Sequence, residues 1–340
     1  YYLGNLYYDK RQYALAIEAW ETSMKLDSNF PTVCRNLALD YFNKKDEKVK
    51  AMEYMERAFQ LNQTDARILM ELDQLYKRMC RPHAERLAFL QQYPELIMQR
   101  DDLVLEEITL LNQIGEYEKA KELLDDHIFH PWEGGEGKIT GQYVLCRVEL
   151  ARVALREQRY ADALALLEET DQYPHNLGEG KLANAEENDI WYYKGEAYRG
   201  LGDEEKAKVC FEKATVGSAE PQQAFYYNDQ QPDKIFYQGL AWRALGDENR
   251  ARGCFNKLIK HGEKHLFDTC RIDYFAVSLP DLAIWEDDLN KRNRIHCNYV
   301  MGLGYLGLDE IPEAAGFLDK VIELDINHQG AQIHRSLCDA

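Results

Sequence analysis

The sequence predicts an all-α fold, a right-handed superhelix (α-solenoid) of about eight helix pairs with inserted loops in its C-terminal half. Two observations lead to this prediction. A pattern of a large, a small and an aromatic residue, followed by two small residues that flank a large apolar one, recurs along most of the chain. The last three of these positions are spaced by three or four residues, as on one face of a helix.

Four copies of this pattern are regular. In one of them Gly195 lies three residues before Tyr198, and Ala207 and Phe211 follow on the second helix. A small residue lets two helices approach closely where they cross, and Gly202 in the turn tolerates the left-handed backbone that ends the first helix. The other regular copies are centred on Gly4, Gly239 and Gly302, and less regular copies on Ala38, Leu72, Gly115 and Ala151.

The spacing of the copies divides the predicted array. The first alanine-like position of the second helix recurs after 33 to 36 residues in the first half of the chain and after 43 to 63 residues in the second half. We therefore expect regular repeats over 1–129, repeats with long inserted loops over 130–326, and a terminal capping helix over 327–340. Insertions in such arrays lie on one face and frequently form a binding surface.

Composition excludes several classes of function. The chain of 340 residues carries 59 acidic and 41 basic side chains, a net charge of −18, which argues against binding to nucleic acid. No apolar run of about 18 residues is present, so we expect no membrane span. Eight dispersed cysteines without a Cys-x-x-Cys pair indicate buried thiols in a reducing compartment, the cytoplasm. Because the chain begins in the middle of a predicted helix, we expect it to be a piece of a longer protein.

The order of Leu-Gly, aromatic, Ala, aromatic and Ala resembles the tetratricopeptide repeat. The second half, with Pro-x-x-x-Gly-Glu-Gly-Lys at 131–138 and again at 174–181, resembles the C-terminal repeat arm of large bacterial proteins with an N-terminal mutarotase-like domain. The first resemblance implies a non-catalytic protein–protein interaction module or scaffold. The second implies an alternative, the accessory arm of a bacterial carbohydrate-active enzyme whose catalytic or sugar-binding domain lies upstream. Self-association through the repeat ends is a third hypothesis, and the oligomeric state stays open.

The repeat resemblance also implies that the first helix of each pair lines a concave groove. The inward positions hold eight cationic and five anionic side chains, so the predicted groove is mildly basic although the chain is acidic. We expect it to bind a protein or an acidic peptide, or the chain's own upstream domain, through arginine and aromatic side chains. Alternatively, the arginines pair with neighbouring carboxylates and are structural. The candidate groove residues are Asn5, Tyr8, Arg35, Asn36, Arg67, Arg78, Arg152, Arg156, Tyr192, Arg199, Phe236, Arg243 and Tyr299.

Some relatives clamp a C-terminal carboxylate with five side chains from three successive repeats. Asn5, Asn36 and Arg67 fall on three of those places. Tyr1 and Glu71 occupy the other two, and the charge of Glu71 would repel a carboxylate. The sequence therefore departs from the clamp where a ligand charge would be bound.

The repeated loop motif has two interpretations. It is a glycine turn that connects one helix pair to the next, or a ligand- or partner-binding loop that uses Trp132, Glu133, Glu136 and Lys138. It does not match a phosphate-binding loop, which would need Gly at 132 and Ser or Thr at 139.

No constellation predicts an active site, and we expect neither a cofactor nor a metal. His127 and His130, like His261 and His265, have same-face spacing but lack the acidic or cysteine partners of a metal site. The acidic run 286–288 is expected to be a solvated loop or the negative first turn of a helix.

The longest insertion, residues 261–294, is too apolar for a solvated linker. We expect it to pack onto the array, with an extra helix or two, and its part around Pro280–Asp288 is a further candidate contact surface.

Overall fold

The computed structural model describes residues 1–223, 229–271 and 284–339. Every regular element in these ranges is a helix, which confirms the all-α prediction, and the helices follow one another as eight pairs. The first helices of the pairs are α1 (Tyr2–Asp9), α3 (Pro31–Asn43), α5 (Ala66–Arg78), α8 (Asp101–Gln113), α10 (Lys138–Arg156), α12 (Asn188–Gly200), α14 (Pro232–Ala244) and α16 (Leu289–Gly307).

The second helices range from 8 to 18 residues in length. They are α2 (Tyr13–Leu26), α4 (Lys48–Leu61), α6 (His83–Leu90), α9 (Tyr117–Asp126), α11 (Tyr160–Glu168), α13 (Glu204–Ala214), α15 (Glu248–His265) and α17 (Ile311–Leu324). A short helix α7 (Pro94–Ile97), two 3-10 turns (Glu169–Asp171 and His175–Leu177) and the terminal helix α18 (Gln329–Leu337) complete the described elements.

In each regular pair, the small residue that the pattern predicted lies where the two helices cross. A Cβ atom added at Gly195 on α12 would lie 2.4 Å from the ring of Phe211 on α13, and one at Gly239 on α14 would lie 2.3 Å from the ring of Phe255 on α15. Both rings are buried. The glycines are therefore required by the distance at which the two helices of a pair cross.

The turns between paired helices use the left-handed backbone. Gly202 and Gly246 adopt φ values of +80° and +86°, and the next residue in each case, Asp203 or Asp247, caps the second helix by accepting a hydrogen bond from a backbone N–H. In five other pairs a residue other than glycine adopts the same conformation. These residues are Arg11, Asp46, Cys80, Gln158 and Asp309.

The chain divides into two compact units. Unit 1 comprises Tyr1–Val104 and Arg271–Asp288, and unit 2 comprises Leu105–Cys270 and Leu289–Ala340. A segment from the longest insertion therefore belongs with the N-terminal repeats, although it lies far from them in sequence. The predicted division at residue 129 was drawn from repeat lengths, a different criterion, and stays a prediction.

The extra helix expected in the longest insertion concerns residues 272–283, which lie outside the described residues. Residues 261–265 belong to α15 and residues 289–294 to α16. In the described part of the chain, no helix combines the length and apolar character needed to cross a bilayer.

Candidate functional site

Glu71 on α5 organises the first-helix face of unit 1, the surface formed by α1, α3 and α5. Its carboxylate is fully buried and accepts two hydrogen bonds from Arg35, at 2.5 and 2.6 Å, and one from Arg67 at 2.9 Å. Two of the candidate arginines thus hold a carboxylate of the chain itself. Glu71 is one of the residues that differ from the carboxylate clamp of the relatives, and its negative charge is neutralised here by the two arginines.

The segment Ile284–Asp288 lies on this face, with Trp285 as its buried residue. The Trp285 side chain is 2% exposed, and its ring packs edge-on against Phe42, with the ring centroids 5.0 Å apart. The indole Nε1 donates a hydrogen bond to the backbone carbonyl of Glu71 at 3.1 Å. An aromatic side chain with its polar edge satisfied is a typical anchor of a protein interface.

Asn43, near the end of α3, binds the backbone on both sides of Trp285. Its Nδ2 donates to the carbonyl oxygen of Ile284 at 2.9 Å, and its Oδ1 accepts from the N–H of Glu286 at 3.0 Å. The Asn43 side chain therefore donates one hydrogen bond to the backbone of the segment and accepts one from it, as the backbone of a neighbouring β-strand would. Such contacts recognise an extended chain whatever its side chains are.

Two cations receive the acidic residues that follow the tryptophan. Lys44 forms an ion pair with Glu286, and Arg78 forms one with Asp287. Burial alone would lower the pKa of Lys44, but the hydrogen bond and charge of Glu286 raise it above the ordinary lysine value. Two carboxylates of the acidic run, Glu286 and Asp287, are therefore paired with cations of unit 1 while 54% and 49% of their side-chain surface stays exposed.

The remaining candidates of unit 1 are bonded to one another. The Oδ1 atom of Asn5 accepts from the indole of Trp20 at 3.0 Å and from Nδ2 of Asn36 at 3.2 Å. The Tyr8 ring leans on Trp20, with centroids 5.7 Å apart. These side chains link α1, α2 and α3 within the first two repeats.

Asp40 is the unusual carboxylate of this unit. It is fully buried on α3, and neither of its oxygens has a hydrogen-bond partner among the described residues. Burial raises its pKa to about 6, although the nearby charges of Lys45 and Lys44 oppose the shift. A group of this kind is partly protonated in mildly acidic solution.

In unit 2 the terminal helix α18 covers candidate aromatic residues. The ring of His334 packs edge-on against Phe236 at 5.4 Å, and its Nδ1 lies 3.1 Å from the hydroxyl of Tyr299. His334 is 3% exposed, and burial lowers its pKa to about 3. Phe236 and Tyr299, predicted to meet a partner, therefore meet the chain's own last helix.

Arg152 is also buried, and Tyr192 is half-buried. The Arg152 guanidinium, 5% exposed, donates to both oxygens of Glu149 at 2.6 and 2.8 Å. Tyr192 packs against Phe211 and Tyr237, and burial raises its pKa above the ordinary tyrosine value. Both residues stabilise the helix pairs.

Three candidate arginines of unit 2 are more exposed than Arg152. Arg156 is exposed. Arg199 donates to Glu196 at 3.0 Å, and Arg243 donates to Glu248 at 3.1 and 3.2 Å. The last two pair with carboxylates of the chain, as the structural alternative stated.

The two copies of the loop motif contact each other within unit 2. The carboxylate of Glu179, from the second copy, accepts the backbone N–H of Gly137 in the first at 3.0 Å. Asn176 also donates to the carbonyls of Leu124 and His127, both at 2.8 Å. These bonds favour the interpretation as a glycine turn that connects helix pairs.

The side chains of the first loop are partly accessible. Trp132 is half-buried over Gly135, and Glu133 and Lys138 are exposed. Their predicted role in binding a partner is not decided by these positions and stays a prediction.

Among the described residues, no group of three or more His, Cys, Asp or Glu side chains is placed to hold a metal ion. All eight cysteines have free thiols, and five of them are buried. Burial raises the pKa of Cys146 to about 12, which keeps that thiol protonated.

The residues that hold Ile284–Asp288 were found from the sequence only in part. Arg78 was a candidate. Phe42 and Asn43 are inward-facing positions of the same repeat pattern but were not chosen as candidates, and Lys44 is not such a position. The signal in the sequence was one of complementary charge. Trp285 is followed by the acidic run 286–288, and the cations Lys44 and Arg78 lie at the ends of α3 and α5. Nothing in the spacing of the repeats connects these stretches.

Two models described as tetratricopeptide repeat match residues 189–215 and 235–261. These two helix pairs are similar to tetratricopeptide repeats. They correspond to α12 with α13 and to α14 with α15, the two pairs in which a glycine meets a phenylalanine ring. The matched repeats thus coincide with the most regular copies of the sequence pattern.

Several solved structures, among them tetratricopeptide repeat proteins, are similar to the chain at low identity. One from Parabacteroides merdae is 14% identical, with a TM-score of 0.44, over 91% of this chain and 99% of that one. YrrB, a repeat protein with an unusual peptide-binding site, is 18% identical over 58% and 91%, with a TM-score of 0.38. Naa15/Naa10 bound to HypK-THB is 12% identical over 99% of this chain and 55% of that one, with a TM-score of 0.42.

Proposed function

We propose that this chain is a protein–protein interaction module that binds extended peptide segments on the first-helix face of unit 1. Its tetratricopeptide repeats support the function of an interaction scaffold. The observation that carries the finer proposal is that this face holds Ile284–Asp288 through one buried tryptophan, a backbone-binding asparagine and two cations.

The face combines two kinds of contact that peptide recognition requires. Asn43 binds backbone groups and so accepts an extended chain of many sequences. The pocket beside Phe42 accepts a large aromatic side chain and satisfies its N–H group. Affinity and orientation are thus supplied by separate groups.

For unit 2 we propose a more restricted use of the predicted groove. Arg156, Arg199 and Arg243 keep enough exposure to meet an acidic peptide. Arg152, Phe236 and Tyr299 act there as supports, because they are buried against Glu149 or α18.

A displayed random-peptide library, selected on the intact chain, tests the proposal. We expect the selected peptides to lose about tenfold or more in affinity for the Asn43→Ala variant, since two hydrogen bonds to the peptide backbone disappear. A matched control is Asn256→Ala, which removes a similar amide from α15 in unit 2. Peptides that bind both variants equally well would contradict a site on unit 1.

The same selection tests unit 2 with charge reversals. The variant Arg156→Glu/Arg199→Glu alters exposed groups, whereas Arg152→Glu would place a second carboxylate beside buried Glu149 and unfold the pair. Acidic peptides that bind the double variant as well as they bind the original chain would remove these arginines from the proposed site.

The alternative function, an accessory arm of a carbohydrate-active enzyme, rests on the second resemblance alone. No contact among the described residues favours it. An assay of sugar hydrolysis or sugar binding on the parent protein, with and without this arm, is its test.

A further inference from the structure

The first-helix face of unit 1 selects a defined order of chemical groups. Trp285 fills the space beside Phe42, and the next two residues, Glu286 and Asp287, meet the cations Lys44 and Arg78. The order is therefore one large aromatic residue followed by two carboxylates.

We propose that this face recognises peptide segments with a large aromatic residue followed by two carboxylates, and that Ile284–Asp288 is an internal ligand that such a partner displaces. The proposal rests on the proposed function and adds the chemistry of the partner and a built-in competition for the site. The occupant to which it commits is a segment of another protein.

The charges of the face support an acidic partner. Lys44 and Arg78 remain 23% and 31% exposed while they are paired with the segment. Arg35 and Arg67 already neutralise Glu71. The two outer cations are thus the groups that face an incoming carboxylate, and a basic peptide would meet them with like charge.

The contacts of the internal segment are ones that a separate peptide can reproduce. Asn43 binds only backbone atoms. Glu286 and Asp287 are 54% and 49% exposed, and ion pairs so exposed hold their partners weakly. One buried tryptophan is the only anchor among the five described residues of the segment. A partner with the same groups can therefore make the same contacts. Because the internal segment is tethered to the site, it lowers the apparent affinity of the partner by the fraction of sites left open.

A fluorescent peptide with the sequence Ile-Trp-Glu-Asp-Asp-Leu-Asn, added to the full chain, is the direct probe. We expect weak binding to the original chain and at least about tenfold tighter binding to the variant Glu286→Lys/Asp287→Lys, whose segment is repelled from Lys44 and Arg78. The matched control is Glu204→Lys/Glu205→Lys, which makes the same charge change at exposed positions of α13. It should bind the peptide as the original chain does.

Reversal of the receiving charges tests where the peptide binds. The variant Lys44→Glu/Arg78→Glu should lose the acidic peptide and bind a peptide in which Glu and Asp after the tryptophan are replaced by two lysines. Equal binding of the acidic peptide to all four chains would overturn the proposal, as would an unchanged affinity in Glu286→Lys/Asp287→Lys.

A second releasing variant keeps the test decisive. Trp285→Ala removes the anchor instead of the charges, and hydrogen exchange of the backbone amides of α3 and α5 reports whether unit 1 remains helical. If either releasing variant stays folded and gains no affinity for the peptide, the internal-ligand proposal fails.

Failure of this proposal differs from failure of the proposed function. A library that selects peptides dependent on Asn43 but lacking an aromatic residue followed by carboxylates would leave the peptide-binding module in place and refute only the chemistry proposed here. A library that selects no Asn43-dependent peptide would refute both.

Discussion

The indole of Trp285 donates to the backbone carbonyl of Glu71, although the two residues are 214 positions apart in the sequence. The same Glu71 holds Arg35 and Arg67 through its carboxylate. A residue of a late insertion and two predicted groove arginines therefore converge on one residue of α5. This convergence explains why a distant segment belongs to unit 1.

Replacement of Trp285 separates its hydrogen bond from its packing. Trp285→Phe keeps a ring beside Phe42 and should lower the free energy of unfolding of unit 1 by about 1 kcal/mol. Trp285→Ala removes the buried ring and its packing against Phe42, and should cost up to about 3 to 5 kcal/mol. Hydrogen exchange of the backbone amides of α3 and α5 measures both. Trp132→Ala, on a half-buried loop, is the control and should leave those amides unchanged.

Removal of one partner from the buried ion pair between Arg86 and Asp73 should lower the free energy of unfolding more than replacement of both. Both side chains are fully buried, and their closest atoms lie 2.6 Å apart. Arg86→Ala leaves the Asp73 charge buried without its main counter-ion and should cost about 3 to 5 kcal/mol. The double variant Asp73→Leu/Arg86→Met should recover most of that loss. Denaturant unfolding measures both variants, and a double variant as unstable as the single one would contradict this explanation.

Two glycines of one helix pair should respond to alanine with opposite signs. Gly239→Ala places a methyl group against the buried Phe255 ring and should destabilise unit 2 by about 1 to 3 kcal/mol. Gly253, on the exposed side of α15, has no atom within 4 Å of an added Cβ. Gly253→Ala should stabilise the helix by about 0.5 to 1 kcal/mol. Thermal unfolding of both variants checks the signs.

The raised pKa of Asp40 predicts that mild acid stabilises unit 1. Burial raises its pKa from 3.8 to about 6, so the folded state binds more protons than the unfolded state between these pH values. Its contribution to the free energy of unfolding is therefore fully present below about pH 4 and is lost as the pH rises through 6. Asp40→Asn should stabilise unit 1 by about 1 to 3 kcal/mol at pH 8. No gain from this variant at pH 8, measured by hydrogen exchange, would show that the carboxylate is not destabilising.

The lowered pKa of His334 predicts that mild acid destabilises unit 2. Burial lowers its pKa from 6.5 to about 3, so the unfolded state binds the extra proton. The contribution of His334 to the stability is present above pH 6.5 and is lost as the pH falls toward 3. His334→Gln should remove about 1 to 2 kcal/mol of the stability difference between pH 7 and pH 5. Urea unfolding at the two pH values checks this, and an unchanged difference would exclude His334 as its source.

Much of the fold could be predicted because each repeat is a local structure. The Gly195–Phe211 and Gly239–Phe255 contacts join residues 16 positions apart, and Gly202 and Gly246 mark the turns between them. The copy around Leu72 was harder to recognise, since Leu72 stands where the regular copies have a glycine. Its turn has the left-handed backbone at Cys80, just as the regular copies around Gly4 and Gly302 have it at Arg11 and Asp309.

The candidate site was less accessible from the sequence. The inward-facing arginines were chosen from the repeat pattern, but their partners were not visible in it. Glu71 for Arg35, Glu149 for Arg152 and Glu248 for Arg243 are carboxylates of the chain itself. Net charge per face cannot tell a paired cation from a free one, because pairing depends on distances of 3 to 4 Å between side chains.

The helix pairs follow from local sequence features, since short-range periodicity, glycine at helix crossings and turn residues specify them within about 40 residues. These features did not determine what lies on the inner faces of those pairs. Ile284–Asp288 on unit 1 and α18 on unit 2 reach their places through contacts between residues far apart in the chain. Such contacts follow from shape and charge complementarity in three dimensions and leave no period in the sequence. Only the tertiary structure therefore shows that the predicted binding faces are occupied by the chain itself.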